Sequence, residues 1–195
     1  MKDPKLYRFL RPFLTFLIRL IIRPKILGLQ NIPKKGNMVL AGNHISILDP
    51  VLLLSTNKRT IHFLAKKELI EGPFKFIFKN MGIIPVNRQS HDKNALETAI
   101  KYLDNGQIIG IFPEGTTRKK GKILPYKKGA VKMAYQTNSV IVPFAIIGSY
   151  NPFKKTILIF DKPYIPKENA EEETKILKDK GDKLIQKGET YGKNK

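Results

Sequence analysis

Seven short apolar runs constrain what this chain can fold into more than any other feature. They fall at residues 26–29, 38–41, 61–65, 83–86, 107–112, 140–147 and 156–160. Each is rich in Ile, Val, Leu or Phe, and Gly, Pro, Asn or Lys cluster between them. Runs of this length and composition read as strands. Between them, residues 47–56, 67–80, 92–104 and 128–137 space their apolar positions as helices do. Asp92 stands where the third of these needs a cap, and Gly106 lies just past its end. Strand-like runs alternating with helical stretches predict an α/β fold, a mixed sheet covered by helices. Pro143, inside the sixth run, brings no N–H to a ladder and predicts an edge or a bulge.

Charge sets a second bound. The chain holds 36 Lys and Arg against 16 Asp and Glu, a formal net charge of +20. That excess calls for an anionic partner: nucleic acid, acidic lipid headgroups or phosphorylated substrates. No zinc-ligand spacing, RNA-recognition signature or recognition helix supports the first of these. There is no cysteine, which excludes disulfides, thiolate catalysis and Cys-ligated zinc.

Both ends of the chain have their own patterns. Residues 6–23 form an apolar stretch broken by Arg8, Arg11, Arg19 and Arg23, so it never reaches the ~18 uncharged residues of a spanning helix. At about 100° per residue, these arginines and Thr15 fall within roughly 120° of one another. Phe9, Phe13, Phe16, Leu17 and Leu20 occupy the other faces. The pattern predicts a helix lying in a membrane interface, with its arginines toward acidic headgroups. The alternative is an amphipathic helix docked on its own domain. No small-residue cleavage site follows the stretch, which argues against a signal peptide. Residues 167–190 are charged with sparse apolar positions, and predict an exposed terminal helix fraying after Gly188.

The first candidate for chemistry is His44 with Asp49, five positions apart where an apolar run ends in a polar turn. An imidazole titrates near neutrality, and a carboxylate on its second nitrogen fixes the tautomer and steadies the imidazolium. In one continuous helix these residues would diverge by about 140°. They can meet only if a turn follows His44 and the helix begins later. Ser46-x-x-Asp49 also has the form of a capping box, a purely structural use of the carboxylate. His62 and His91 lack comparable partners. Phe112-Pro113-Glu114-Gly115-Thr116-Thr117-Arg118 follows the fifth run, and Gly82 to Arg88 ends in an arginine. Arginine makes planar, bidentate contacts to phosphate.

In this order and spacing, the pieces resemble the glycerolipid acyltransferase family, and within it the 1-acylglycerol-3-phosphate acyltransferases. The resemblance runs from about residue 26 to 150. Asn43-His44 through Asp49 matches the family's His-x4-Asp motif, Gly82 to Arg88 its second block, Phe112 to Thr116 its third and Val142-Pro143 its fourth. Ala65-Lys66-Lys67-Glu68-Leu69 and Lys127-Lys128-Gly129-Ala130 resemble segments between them. The resemblance implies that His44 is the general base for a lysophosphatidate hydroxyl and that Asp49 orients it. It implies that Arg88 and Arg118 hold the substrate phosphate, with Lys66 as a further candidate. Glu114, Gly115 and Thr116 would shape the acceptor pocket. One position departs from the pattern: many members carry Arg where this chain has Thr117, and Arg118 follows one residue later, with Lys119 and Lys120 beyond it.

The expectations that follow are an amphipathic membrane-associating arm over residues 1–24, a catalytic domain over 25–166, and a charged helix and tail over 167–195. No cofactor and no metal is expected. The expected partners are membrane lipids, lysophosphatidate, and a donor that is acyl-coenzyme A or acyl-acyl carrier protein, with no specific nucleic acid. The expected location is the cell membrane, held peripherally on its cytoplasmic face.

Overall fold

All seven runs become strands of one sheet in the computed structural model, which describes residues 4–72, 75–87, 92–117 and 124–193. They are β1 (Lys25–Leu27), β2 (Met38–Gly42), β3 (Ile61–Lys66), β4 (Ile84–Val86), β5 (Ile108–Ile111), β6 (Val140–Gly148) and β7 (Thr156–Phe160). Their spatial order is β1-β7-β6-β2-β5-β3-β4. Every pair is parallel except β6 with β7, so the sheet is mixed, as expected. The helices are α1 (Lys5–Ile21), α2 (Asp49–Leu54), α3 (Lys67–Glu71), α4 (Lys75–Asn80), α5 (Lys93–Asp104), α6 (Gly129–Gln136) and α7 (Ala170–Lys193).

β2 shows why both faces must be covered. Its five residues are all buried. Met38 and Leu40 point into one core with Ile18 and Ile22 from the arm and Leu52 and Leu53 of α2. Val39 and Ala41 point into the other, with Ala99 and Leu103 of α5, Ala130 and Met133 of α6, and Leu177 of α7. A strand buried on both faces needs apolar residues at every position rather than at alternate ones.

Local signals are obeyed closely. The Asp92 side chain accepts from the Ala95 N–H at 3.1 Å and caps α5, and it also accepts from the Asn87 N–H at 2.7 Å. These bonds, Asn87 first and Ala95 next, hold its carboxyl below the usual range. They also tie the end of β4 to the start of α5. Pro143 sits at a bulge: Phe144 pairs with Phe160, yet Ile141 bridges Tyr164. Three steps on β6 face four on the segment after β7, so the extra residue lies opposite Pro143, whose oxygen accepts from the Asp161 N–H at 2.8 Å and whose missing N–H faces the bulge. The expected helix over 67–80 divides into α3 and α4, because Gly72-Pro73 interrupts it and the residue before a proline avoids helical backbone.

Two expectations are corrected. The C-terminal helix is not an exposed, fraying one. α7 lies across β6 and β7 and continues through Gly188 to Lys193. Leu177 and Leu184 are buried beneath it, each contributing roughly 2 kcal/mol of apolar burial. The Cβ-less side of Gly188 faces the Ile147 and Ile159 side chains.

In the arm, two of the arginines have protein atoms as partners where the expectation set headgroups. Arg11 Nε donates to the backbone oxygens of Asn57 (2.6 Å) and Leu54 (3.2 Å), and an Arg19 Nη donates to that of Ser55 (2.9 Å). Carbonyls at the end of a helix carry partial negative charge and attract cations. Arg11 and Arg19 thus cap the C-terminal end of α2, and Arg8 and Arg23 are exposed. Tyr7 and Ile18 lie buried on the same side, and the Tyr7 hydroxyl accepts from the Ile61 N–H at 3.2 Å. About 170° around the helix, counting about 100° per residue, Phe9, Phe13, Phe16 and Leu20 form an exposed stripe. No helix among the described residues is long and apolar enough to cross a membrane.

Candidate active site

Parallel pairing decides where the motifs meet. β2, β3, β4, β5 and β6 run in one direction, so their carboxyl ends share one edge of the sheet. His44 follows β2, Phe112 to Thr116 follow β5, Lys66 ends β3, and Tyr150 follows β6. Open α/β sheets place ligands along that edge. Motifs scattered over a hundred residues thereby come to one edge of the sheet.

The turn after β2 is built around Asp49. Asn43 is buried, and its amide bonds both ways with the Ile146 backbone at 2.8 Å, extending the β2–β6 pairing by one side chain. Beyond it the chain turns, and α2 begins at Asp49 itself. Asp49 is wholly buried. Its Oδ2 accepts from His44 Nδ1 at 2.6 Å, from the Ile45 N–H at 2.7 Å and from the Ser46 N–H at 2.9 Å. Its Oδ1 accepts from the Tyr150 hydroxyl at 2.6 Å. A buried carboxylate is tolerated when donors surround it, and here there are four. The capping box expected at Ser46 does not form, since α2 starts at Asp49 with Leu48 as its N-cap and the Ser46 hydroxyl accepts from the Leu48 N–H at 3.2 Å; Asp49 reaches back to the Ser46 N–H and holds His44 with the same oxygen.

Because a carboxylate only accepts, Nδ1 of His44 donates this bond, and in the neutral ring Nε2 keeps its lone pair. Nε2 has no hydrogen bond among the described residues, and the side chain is 16% exposed. The ring stacks on Phe112, centroids 4.1 Å apart at 19°. Phe112 in turn packs against Phe63 and the edge of Phe144. This aromatic floor depends on Gly42, where a Cβ would lie 2.2 Å from the Phe144 oxygen and 2.6 Å from its ring. No side chain fits between the two strands there.

The turn after β5 is closed by a Gly115 N–H bond to the Phe112 oxygen at 2.9 Å. Gly115 has φ +72°, where side chains are strained. Glu114 is buried, and Thr116 and Thr117 are exposed. The Lys127 N–H donates to the Pro113 oxygen at 2.9 Å, which draws the start of α6 against this turn. A Cβ on Gly115 would meet Lys127 Cε at 3.1 Å and Nζ at 3.2 Å, so this lysine lies directly over the motif. Lys66 is exposed at the end of β3, paired in register with Val86. Arg88 and Arg118, the expected phosphate ligands, lie outside the described residues, as do His91, Lys119 and Lys120. His62 is remote from this chemistry. It is fully buried, with Nδ1 2.8 Å from the Gly82 oxygen and its ring stacked on Tyr102.

Sequence reasoning missed Tyr150, Phe112 as the partner of the imidazole, and Lys127 as a named cation at the site. Nothing local marks Tyr150. Its place is legible only once β6 is known to lie beside β2.

A family model described as Acyltransferase matches residues 23–147. The chain is 40% identical over 136 residues to a 1-acyl-sn-glycerol-3-phosphate acyltransferase of Borreliella burgdorferi, covering 68% of this chain and 54% of that protein. It is 32% identical to the protein of the same name from Bacillus subtilis, covering 73% of this chain and 72% of the relative. The chain thus spans about half the length of the first and somewhat more of the second. Among solved structures, the 1-acyl-sn-glycerophosphate (LPA) acyltransferase PlsC of Thermotoga maritima superposes with a TM-score of 0.74 at 26% identity. That match covers 92% of this chain and 81% of the other.

Proposed function

This chain belongs to the acyltransferase family, and from that premise we propose that it transfers an acyl chain from a thioester to the free hydroxyl of 1-acylglycerol-3-phosphate, forming phosphatidate. The observation that carries the reading is the 2.6 Å bond from His44 Nδ1 to a buried carboxylate, which leaves Nε2 free as a base at a crevice edge. Nε2 takes the proton of the acceptor hydroxyl as its oxygen attacks the thioester carbonyl. Asp49 steadies the imidazolium that forms. The tetrahedral intermediate collapses, the carbon–sulfur bond breaks, and the leaving sulfur takes the proton back from His44. The products are the ester and a free thiol. Attack is direct, and the chain has no cysteine to form an acyl-enzyme.

The acceptor phosphate is read as the partner of basic side chains at the same edge. Lys66 and Lys127 are the described ones, and Arg88 and Arg118 follow β4 and the β5 turn in sequence. A net charge of +20 suits an anionic acceptor together with an anionic donor, coenzyme A or an acidic acyl carrier protein. The test is a transfer assay with both donor types and three acceptors: lysophosphatidate, 1-acylglycerol without phosphate, and a lysophospholipid with an esterified headgroup. The expected kcat/KM is on the order of 100-fold higher for lysophosphatidate than for 1-acylglycerol, because the basic groups are left unpaired by the latter. Equal turnover of the headgroup-bearing acceptor would move the assignment to another lysolipid.

Membrane attachment belongs to the same reading, with the apolar face of α1 as the attaching side and two of its arginines engaged by α2. Phe9, Phe13, Phe16 and Leu20 of α1 are half to three-quarters exposed, and Phe76 of the adjoining α4 is 75% exposed. Apolar stripes of this size mark a surface that something covers. A bilayer supplies it, with the aromatic face sinking into the acyl boundary and the arginine side holding α2. Ile47 and Leu48, just after His44, are exposed as well. The double variant Phe13→Ser/Phe16→Ser is expected to bind vesicles roughly 10- to 100-fold more weakly, from the lost burial of two aromatic rings. Unchanged co-sedimentation would remove α1 from the attachment.

A further inference from the structure

We propose that Tyr150 is a positioning residue of the transfer reaction: its hydroxyl, bonded to Asp49 Oδ1, completes a chain Tyr150–Asp49–His44 that holds the carboxylate and tempers its pull on the imidazole. The inference rests on His44 acting as the base.

The two oxygens of Asp49 have different neighbours. Oδ2 is shared by His44 and two backbone N–H groups, while Oδ1 has Tyr150. With Asp49 wholly buried, no water replaces that donor. The arrangement crosses the sheet, because His44 and Asp49 follow β2 whereas Tyr150 lies two residues beyond β6. The segment carrying Tyr150 is itself fixed. Thr156 Oγ1 donates to the Ser149 oxygen at 2.7 Å, and the Asn151 side chain accepts from the Phe153 N–H at 2.9 Å. Burial, and then the Asp49 charge, push the Tyr150 hydroxyl far above its usual range, so it remains a donor at every working pH.

A donor on Oδ1 draws electron density away from Oδ2, the oxygen facing the imidazole. The carboxylate then orients the His44 ring through a bond to Nδ1 that the Tyr150 hydroxyl weakens. Loss of the hydroxyl has two consequences. Asp49 gains freedom to rotate, and negative charge concentrates beside Nδ1, favouring the imidazolium in the resting enzyme. The charged or titratable side chains bonded to Asp49 among the described residues are His44 and Tyr150, so the effect has one direction.

The experiment is steady-state kinetics of Tyr150→Phe across pH, in the full chain with lysophosphatidate and acyl-coenzyme A. The expected result is a kcat lowered on the order of 10- to 100-fold, KM for both substrates within about twofold, and an acid limb of kcat/KM moved to higher pH. Tyr150 also lines a cavity of about 470 Å³ with Ile45, Ser46 and Asn151. A raised KM with unchanged kcat would make it a substrate contact and overturn the proposal. A lowered kcat with an unmoved acid limb would make it merely structural, and overturn it too. Should Tyr150→Phe fail to fold, 3-fluorotyrosine at 150 keeps the bond with a stronger donor. The acid limb then moves to lower pH, and an unmoved limb counts against the proposal. His44→Ala run alongside separates the two readings, since near wild-type turnover there would refute the base itself rather than Tyr150.

Discussion

His44→Ala is expected to lower kcat for acyl transfer by at least about 10³-fold, with the fold intact. The size follows from what the ring does. In the proposed reaction Nε2 is the base, and its removal leaves the acceptor hydroxyl to react unassisted. The fold survives because the side chain is not core. It is partly exposed and rests on Phe112, and Asp49 Oδ2 retains the Ile45 and Ser46 N–H donors. The cost in stability is about 1 kcal/mol, the value of one stacked ring and one hydrogen bond. Product formation by the purified variant, measured beside its thermal melt, separates lost chemistry from lost structure. Turnover near that of the parent would take the base role away from His44.

Asp49→Asn is expected to cost nearly as much, on the order of 10³- to 10⁴-fold in kcat, for a different reason. The amide has the same shape. Its oxygen can keep the bonds from His44, Ile45 and Ser46, and its NH2 can face Tyr150, whose hydroxyl turns to accept. Position is preserved and the charge is lost. The imidazolium formed during transfer then lacks its counter-charge. The same loss favours neutral imidazole in the resting enzyme, so the acid limb of kcat/KM moves to lower pH. That is opposite to Tyr150→Phe, and two shifts of opposite sign from two partners of one carboxylate are a strong check on the proposed chain. A variant with full activity, or with a limb moved upward, would show that the carboxylate does not act through His44.

Much of the architecture was legible before any coordinates. All seven strands lie where short apolar runs stand, and the reason is plainest in β2 and β7, where a strand buried along its whole length leaves an uninterrupted or nearly uninterrupted apolar run. Asp92, Pro143 and Gly72-Pro73 act where local chemistry says they must, since caps, bulges and helix breaks depend on a few neighbouring atoms. The first part of the site is legible for the same reason: His44 and Asp49 lie within one turn, although α2 starts at Asp49 and not at the Ser46 capping pattern. In the arm the helical period is legible in the sequence and the partners of Arg11 and Arg19 are not. Charge alone predicts that arginines seek anions outside the protein, but α2 ends beneath the arm and presents carbonyls that serve as well. α7 was misjudged likewise, because its few apolar positions matter only once β6 and β7 are placed under them.

The sequence by itself determined the elements, the His–Asp pair and the family, because each of these is written in residues close together or in a fixed order of motifs. Tertiary structure alone decided which residues join that pair. The parallel order β6-β2-β5-β3-β4 carries Tyr150, Phe112 and Lys66 to one edge, with Lys127 drawn over the β5 turn. The physical reason is that strand neighbours are chosen by packing and hydrogen bonding across the whole sheet. A tyrosine about a hundred residues from an aspartate in the chain can therefore donate to it at 2.6 Å, and no local pattern announces the contact.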